Sequence, residues 1–203
     1  MQLIEIADKP VVTTDLGMVA PVVATTTRPL QTAQSEGRFG VYSESFAVMT
    51  EQQAPKFYDV TDLIATVVER SGIAAGTFTA STRHTTCAMV VQENEPLLLR
   101  DMADRLCRFA NADETFRHND FDIRTAGHPS VGRVVCDGEC ANGHSHCQHL
   151  VLGAGVTLPI QDGRPVLGLW QRIFLIELDR ARPRHFSVQV MGVYANQGQP
   201  FVW

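Results

Sequence analysis

Between Arg38 and Met49, Val41, Ser43, Ser45 and Ala47 alternate with the bulkier Tyr42, Phe46 and Val48. A two-residue period is the mark of a strand with one buried face. The period changes after Val60-Thr61-Asp62, which offers a helix start. Leu63, Ile64, Val67 and Val68 then recur at three- and four-residue spacing as far as Arg70, and Gly72 supplies the stop. Segments 76–83 and 85–92 are rich in Thr, Val and Phe and read as consecutive strands, with His84 between them. Asn94-Glu95-Pro96 opens a second helix, because proline near the first turn gives up an N–H that has no helical partner anyway. Leu97, Leu98, Met102, Leu106 and Phe109 carry its apolar positions to about Ala110.

A polar loop with His118, Asp120 and Asp122 follows. A short helix is then expected to end near Gly153, and three strand segments at 155–161, 165–178 and 184–194 complete the chain. Asp162-Gly163 is a hairpin turn signal. Runs of strands and helices segregated in this way predict an α+β fold with a largely antiparallel sheet. Nothing resembles a glycine-rich phosphate loop, so a dinucleotide- or nucleotide-binding α/β fold is unsupported.

Length and composition narrow the picture. The 203 residues suit one domain with an appendage. Residues 1–37 are expected to be an N-terminal extension or linker. Val19 to Ala24 is apolar, but 25–37 is polar and broken by Pro29 and Gly37, while 38–203 form the domain. A formal charge of −5 leaves no net basic surface for a nucleic-acid backbone, although Arg172, Arg180, Arg182, Arg184 and His185 cluster locally. No apolar run approaches the roughly 20 residues of a membrane span, and the N-terminus lacks a signal-peptide pattern. No membrane partner and a cytoplasmic location are therefore expected. The odd number of cysteines, five, suits reduced thiols better than a disulfide framework.

Candidate chemistry concentrates in 142–150, where His144, His146, Cys147 and His149 fall within a few residues. Imidazole and thiolate bind transition metals and move protons near neutral pH. Cys136 and Cys140 just upstream are three residues apart, an unusual gap for a structural zinc pair. Glu93 stands at a strand-to-helix junction, where an acid serves either as a base or as a complement to the helix dipole. Asp101 has the plainer reading of a solvated helix face or an ion pair with Arg105. Trp170 reads as a core anchor.

Taken together, His84-Thr85-Thr86, Glu93-Asn94, Asp101-Met102, His118, His146, Gly153, Leu158-Pro159-Ile160, Gly163-Arg164, Gly168, Trp170-Gln171 and Glu177 resemble the YjbQ family. That uncharacterised family is also labelled secondary thiamine-phosphate synthase enzyme. The matching blocks span about Arg38 to Val193, with departures at Gln92, Gly155 and Leu169. The resemblance implies a β-sandwich of mainly antiparallel strands with two to three helices, assembled as a homotrimer.

Counted back from Leu158-Pro159, His146 holds the family's histidine position. With His84 and His118 it would give a three-imidazole metal set with one open position. Zinc is the expected ion, since imidazole suits it, with magnesium the alternative. His84, Glu93, His118 and His146 are the catalytic candidates, and Asn94, Arg164, Gln171 and Arg172 the expected contacts to a phosphorylated small-molecule substrate. The plain reading of His84 is a strand-bend cap through a backbone carbonyl, and that of His144 and His149 a supporting role. Cys147 reads as a small buried thiol.

The implied activity is metal-dependent chemistry on small phosphorylated metabolites, including the joining of a pyrimidine diphosphate and a thiazole phosphate to thiamine phosphate and pyrophosphate. Zinc-assisted hydrolysis with Glu93 as base, and non-catalytic trimeric binding of a metal or metabolite, are the alternatives.

Overall fold

The computed structural model describes residues 24–31 (backbone only), 39–51, 54–121 and 141–194. Its strands are β1 Ala24–Gln31, β2 Phe39–Met49, β3 Lys56–Asp59, β4 Ile73–Thr82, β5 Cys87–Glu93, β6 Gly155–Gln161, β7 Arg164–Pro165, β8 Gln171–Glu177 and β9 Pro183–Tyr194. The helices are α1 Thr61–Ser71, α2 Pro96–Phe109 and α3 Gly143–Leu152, and a 3₁₀ turn covers Arg117–Asn119. Two wholly antiparallel sheets result. Sheet A runs β1-β2-β9-β4-β6-β7 and sheet B runs β3-β8-β5. The expected α+β class and sandwich architecture are what the chain adopts.

Alternation along the strands decides which residues meet. Tyr42, Phe46 and Val48 of β2, Phe78 and Ala80 of β4 and Phe186, Val188 and Val190 of β9 face Tyr58, Met89, Ile173 and Leu175 of sheet B. Helix α1 closes this core with Leu63, Ile64, Val67 and Val68, the positions its sequence period singled out. Gly72 ends it in the left-handed conformation at φ 70°. The opposite face of sheet B is apolar as well. Phe57, Ala88, Phe174 and Ile176 there pack against Leu99 and Ala103 of α2 and against Leu152 of α3. The molecule is thus three layers deep, with sheet B in the middle.

One row of sheet A lacks side chains on three adjacent strands. Gly40 of β2 lies opposite Gly192 of β9, which lies opposite Gly76 of β4. A Cβ on Gly192 would come within 2.1 Å of the Ala75 carbonyl oxygen, and one on Gly76 within 2.1 Å of that of Met191. A Cβ on Gly40 would strike the Tyr194 ring, which lies across that end of the row.

Three expectations differ from the structure. Part of the segment read as a linker is β1, an edge strand. Its Thr-rich stretch has high β propensity, and Pro29 falls at the register shift between Thr27 and Leu30, where no ladder hydrogen bond is required of it. The strand expected over 165–178 is interrupted, with 166–170 leaving the sheet as a loop. Trp170 is consequently 67% exposed and Leu169 90% exposed, so Trp170 is no core anchor in this chain. The Asp162-Gly163 turn forms as expected, with φ of 52° and 71°. Asp122, Cys136 and Cys140 lie outside the described residues.

Candidate functional site

Strands β8 and β9 belong to different sheets, and a buried ion pair joins them where the chain passes between the two. Glu177 ends β8 and Arg184 lies at the inward parity of β9, with 0% and 1% of their surfaces exposed. The Arg184 Nε donates to Glu177 Oε2 at 2.5 Å, and its terminal nitrogen donates to Oε1. The Thr50 hydroxyl donates to Oε2 at 2.7 Å and the Asp179 N–H to Oε1 at 2.9 Å. A buried carboxylate is tolerable only with such a complement of donors.

His84 borders this pair, in the bend between β4 and β5. Its Nε2 accepts the His185 N–H at 2.8 Å, and its ring stacks on His185 with centroids 5.7 Å apart. It therefore holds a backbone amide rather than capping a carbonyl. Burial, then the positive charge of Arg184 and of His185, pulls the His84 pKa down to about 4. The ring is neutral at pH 7, and with Nε2 accepting, the proton resides on Nδ1. His84 thus presents a neutral N–H donor and has no free lone pair for a metal.

His118 and His146 meet although 27 residues separate them in the chain. Their ring centroids are 4.7 Å apart in an edge-to-face contact. The contact follows from how the 3₁₀ turn docks on α3. Asn119 Oδ1 accepts the Gly143 N–H at 2.9 Å, and glycine at the first position of α3 leaves room for Phe116, which a Cβ would approach to 2.5 Å.

Other α3 side chains anchor the helix. The Ser145 hydroxyl donates to the Leu178 carbonyl at 2.6 Å, and Asn142 Nδ2 donates to Asp179 at 3.2 Å. Gln148 Nε2 donates to the Leu106 and Ala110 carbonyls, closing the end of α2. His149 Nδ1 lies 2.8 Å from the Cys87 carbonyl, which can only accept, so Nδ1 is the donor. His144 places Nε2 3.1 Å from the Ser145 hydroxyl, and burial lowers its pKa. Its Nδ1 is buried with no partner among the described residues. Cys147, read as buried, is half-buried.

The remaining candidates stand elsewhere. Glu93 ends β5 opposite Gln171, six residues beyond Cys87 and so roughly 20 Å along the strand from the His149 contact. Arg172 donates to Asp59 at 2.7 Å and to Asp62 at 3.2 Å. Burial alone would lower its pKa, but the hydrogen bonds and charges of the two aspartates outweigh it and raise the pKa. Asn94 Nδ2 donates to the same Asp59 at 3.1 Å, and Gln171 Oε1 accepts the Gly168 N–H at 2.7 Å, so both side chains are engaged within their own chain. Arg164 is exposed on β7. Asp101 is exposed on α2, and no ion pair to Arg105 is formed.

One chain therefore divides the expected site residues between two ends. His84, His118 and His146 belong to the α3 end, and Glu93, Asn94, Gln171 and Arg172 to the other. Among the described residues no three His, Cys, Asp or Glu side chains group closely enough to hold a metal ion. The three-imidazole set does not fit, because His84 is turned to the His185 amide. His118 and His146 alone could fill two positions of a divalent ion.

Sequence reasoning placed Arg184 and His185 only in a local basic cluster and gave no role to Thr50. The usable signal was Arg184 itself, a charge at the inward parity of a strand otherwise carrying Phe186, Val188 and Val190.

Known proteins resemble the chain over this same framework. A family model described as "UPF0047 protein YjbQ-like" matches residues 44–193. A UPF0047 protein of Methanothermobacter thermautotrophicus is 32% identical over 152 residues, 75% of this chain and 93% of that protein. A crystal structure of a YbjQ-like protein of unknown function from Sulfolobus solfataricus superposes with a TM-score of 0.65 at 30% identity, covering 76% of this chain and 99% of that one. A hypothetical protein from Aeropyrum pernix superposes with a TM-score of 0.59 at 28% identity, covering 72% and 95%. No helix among the described residues is long and apolar enough to cross a membrane. With the match running from the β2 strand to the end of β9 and taking in His84, His118, His146 and the Glu177–Arg184 pair, the chain belongs to the YjbQ-like UPF0047 family.

Proposed function

We propose that this chain is a cytoplasmic enzyme of small phosphorylated metabolites, working as a homotrimer at the α3 end, with thiamine-phosphate synthesis as a side activity. The observation that carries the reading is the contact of His118 with His146, two imidazoles from separate segments held together by a docked turn. Joining a pyrimidine diphosphate to a thiazole phosphate expels pyrophosphate, so negative charge builds on the leaving oxygen. Preorganised N–H donors at that oxygen are the main way a protein can lower such a barrier. His118 and His146 are the proposed donors. His84, neutral and carrying its proton on Nδ1, is a donor that does not titrate near pH 7.

A divalent cation, zinc in preference to magnesium, would take His118 and His146 as ligands and neutralise diphosphate charge. The free thiols of Cys87, Cys107 and Cys147 accord with a reducing compartment. Exposed Leu169 and Trp170 accord with self-assembly. Hydrolysis with Glu93 as base is less well supported, since Glu93 is at the far end of β5 from the histidines of its own chain.

The test is pyrophosphate release from the two substrates by metal-free and zinc-loaded protein, beside His118→Ala and His146→Ala. Turnover that falls at least about a hundredfold in both variants is expected, the scale of a lost transition-state donor. Absence of turnover in every form of the parent protein, or full activity in His146→Ala, overturns the reading.

A further inference from the structure

The outward face of sheet A differs in chemistry from the rest of the chain. The protein has 22 acidic residues and a formal charge of −5, yet no Asp or Glu stands at an outward position of β2, β4, β6 or β9. Glu44, the one acid in the sequence of β2, has the inward parity and is buried. Strand β1 has no acid in its sequence. Small hydroxyls take the outward positions instead. Ser45 of β2 lies opposite Ser187 of β9, which lies opposite Ser81 of β4. In the next outward row, Gln189 of β9 lies opposite Thr79 of β4, which lies opposite Thr157 of β6.

Arg83 follows β4 directly, is exposed, and donates its N–H to the His185 carbonyl at 3.1 Å. One terminal nitrogen of its guanidinium donates to Ser187 Oγ at 2.9 Å and to Ser45 Oγ at 3.2 Å, and these two hydroxyls are 2.9 Å apart. An exposed arginine ordinarily keeps its rotamer freedom or pairs with a carboxylate. This one is tethered to two strands, and no carboxylate among the described residues pairs with it. Its Nε and its other terminal nitrogen have no hydrogen-bond partner among the described residues. A guanidinium held still with donors to spare, on a face without negative charge, is preorganised for an anion. His185 lies beside it and stacks on His84, so the face adjoins the histidines of the proposed site.

We infer that Arg83 and the hydroxyl rows behind it form the subsite for a phosphorylated polyol, a sugar phosphate in the simplest case. The inference rests on the reading of the chain as an enzyme of phosphorylated metabolites, and it names the class of the principal substrate. The phosphate takes the unused guanidinium donors, and the hydroxylated body lies along the sheet towards Thr79 and Thr157. The hydroxyls of those two threonines are 2.9 Å apart at the surface. Thr79 is two residues from Ser81, about 7 Å along the strand, a gap that a phosphorylated chain of a few carbons spans. Hydroxyls both donate and accept, so such a row matches the alcohols of a polyol. An aromatic body would find no ring to stack on, because these rows are Ser, Thr and Gln. That agrees with thiamine-phosphate synthesis, whose substrates are heteroaromatic, being only a side activity.

Isothermal titration calorimetry on the full chain tests it, with ribose 5-phosphate, ribose and inorganic phosphate as probes at fixed ionic strength. The parent is expected to bind ribose 5-phosphate at least about tenfold more tightly than inorganic phosphate, and ribose more weakly than either. Arg83→Gln, an exposed change that leaves the core untouched, should weaken ribose 5-phosphate at least about tenfold, the lower end of what a hydrogen bond to a charged group contributes. Arg83→Lys should recover part of the loss, since it restores the charge without the guanidinium fork. Thr79→Val/Thr157→Val should weaken ribose 5-phosphate about fivefold and leave inorganic phosphate unchanged. Equal affinity of the parent and Arg83→Gln, or no binding by the parent, overturns the inference. So does a threonine variant that moves both phosphate probes alike or neither. The outcome separates from that of the proposed chemistry. Pyrophosphate release that depends on His146, without ribose 5-phosphate binding, overturns the subsite and leaves the reaction standing. Arg83-dependent binding with no pyrophosphate release upholds the subsite and overturns the reaction.

Discussion

Replacing Arg184 with methionine should be among the most damaging single changes in the sandwich. The substitution keeps most of the apolar stem but removes both charged donors from Glu177, which has no exposed surface. What remains is a buried carboxylate with two donors, Thr50 Oγ1 at 2.7 Å and the Asp179 N–H at 2.9 Å. Breaking a buried pair by deleting one member costs about 3–5 kcal/mol, because the surviving charge keeps its desolvation penalty. At 2–4 °C per kcal/mol for a domain of this size, the midpoint should fall by roughly 6–20 °C. Glu177→Leu combined with Arg184→Met should recover part of this loss. The recovery stays partial because Thr50 and the Asp179 amide then lose their acceptor, at about 1–3 kcal/mol. Denaturant unfolding of the parent, the two single variants and the double variant, followed by circular dichroism at fixed protein concentration, closes the cycle. His84 gives a second readout. Arg184 helps to depress its pKa, so its ring should titrate above about 4 in Arg184→Met. A loss below about 1 kcal/mol in Arg184→Met, or a double variant no more stable than the worse single one, would refute the reasoning.

Three further outcomes are expected. The folded-state pKa of His84, about 4, lies below the ordinary 6.5, so the unfolded chain binds the extra proton first. The stability contributed by neutral His84 is therefore complete above pH 6.5 and is lost as pH falls from 6.5 towards 4. The difference between the parent and His84→Asn should shrink over that interval, and a pH-independent difference would be the contrary result. Gln148→Met should cost about 2 kcal/mol by leaving the Ala110 carbonyl without its side-chain donor and the Leu106 carbonyl with the Ala110 N–H alone, and should raise amide exchange in the last turn of α2 but not in α1. Gly192→Ala should destabilise by at least about 2 kcal/mol, since its Cβ has 2.1 Å to the Ala75 carbonyl oxygen and two strands must separate to admit it. Unchanged denaturant midpoints would contradict the last two.

The layers were legible in the sequence because each element reports its own buried face. The inward residues of β2 and β9 and the 63-64-67-68 row of α1 need no knowledge of their partners. The site was legible only in fragments. Nothing local to His118 or His146 says that they touch, since the contact depends on Asn119 docking against Gly143. His84 was recognisable as a candidate, but its tautomer is fixed by His185, about a hundred residues away in sequence. Trp170 misled for the opposite reason: tryptophan is usually buried, and nothing local to it says that 166–170 leaves the sheet as a loop. β1 was missed because threonine-rich stretches serve equally as linker and as edge strand until a neighbour offers its ladder.

The row of glycines across β2, β9 and β4 bears on where the core ends. Because three adjacent strands carry no side chain there, the aromatic ring of Tyr194 comes to lie over Gly40, and one residue of β9 fills space that would otherwise belong to another strand. Tyr194 is thus the keystone of that margin. Shortening the chain through Tyr194 would uncover the Gly40 end of that row, where the facing residue of β9 is itself glycine and cannot fill the space. Tyr194 is accordingly part of what the sandwich needs at its β2–β9 margin.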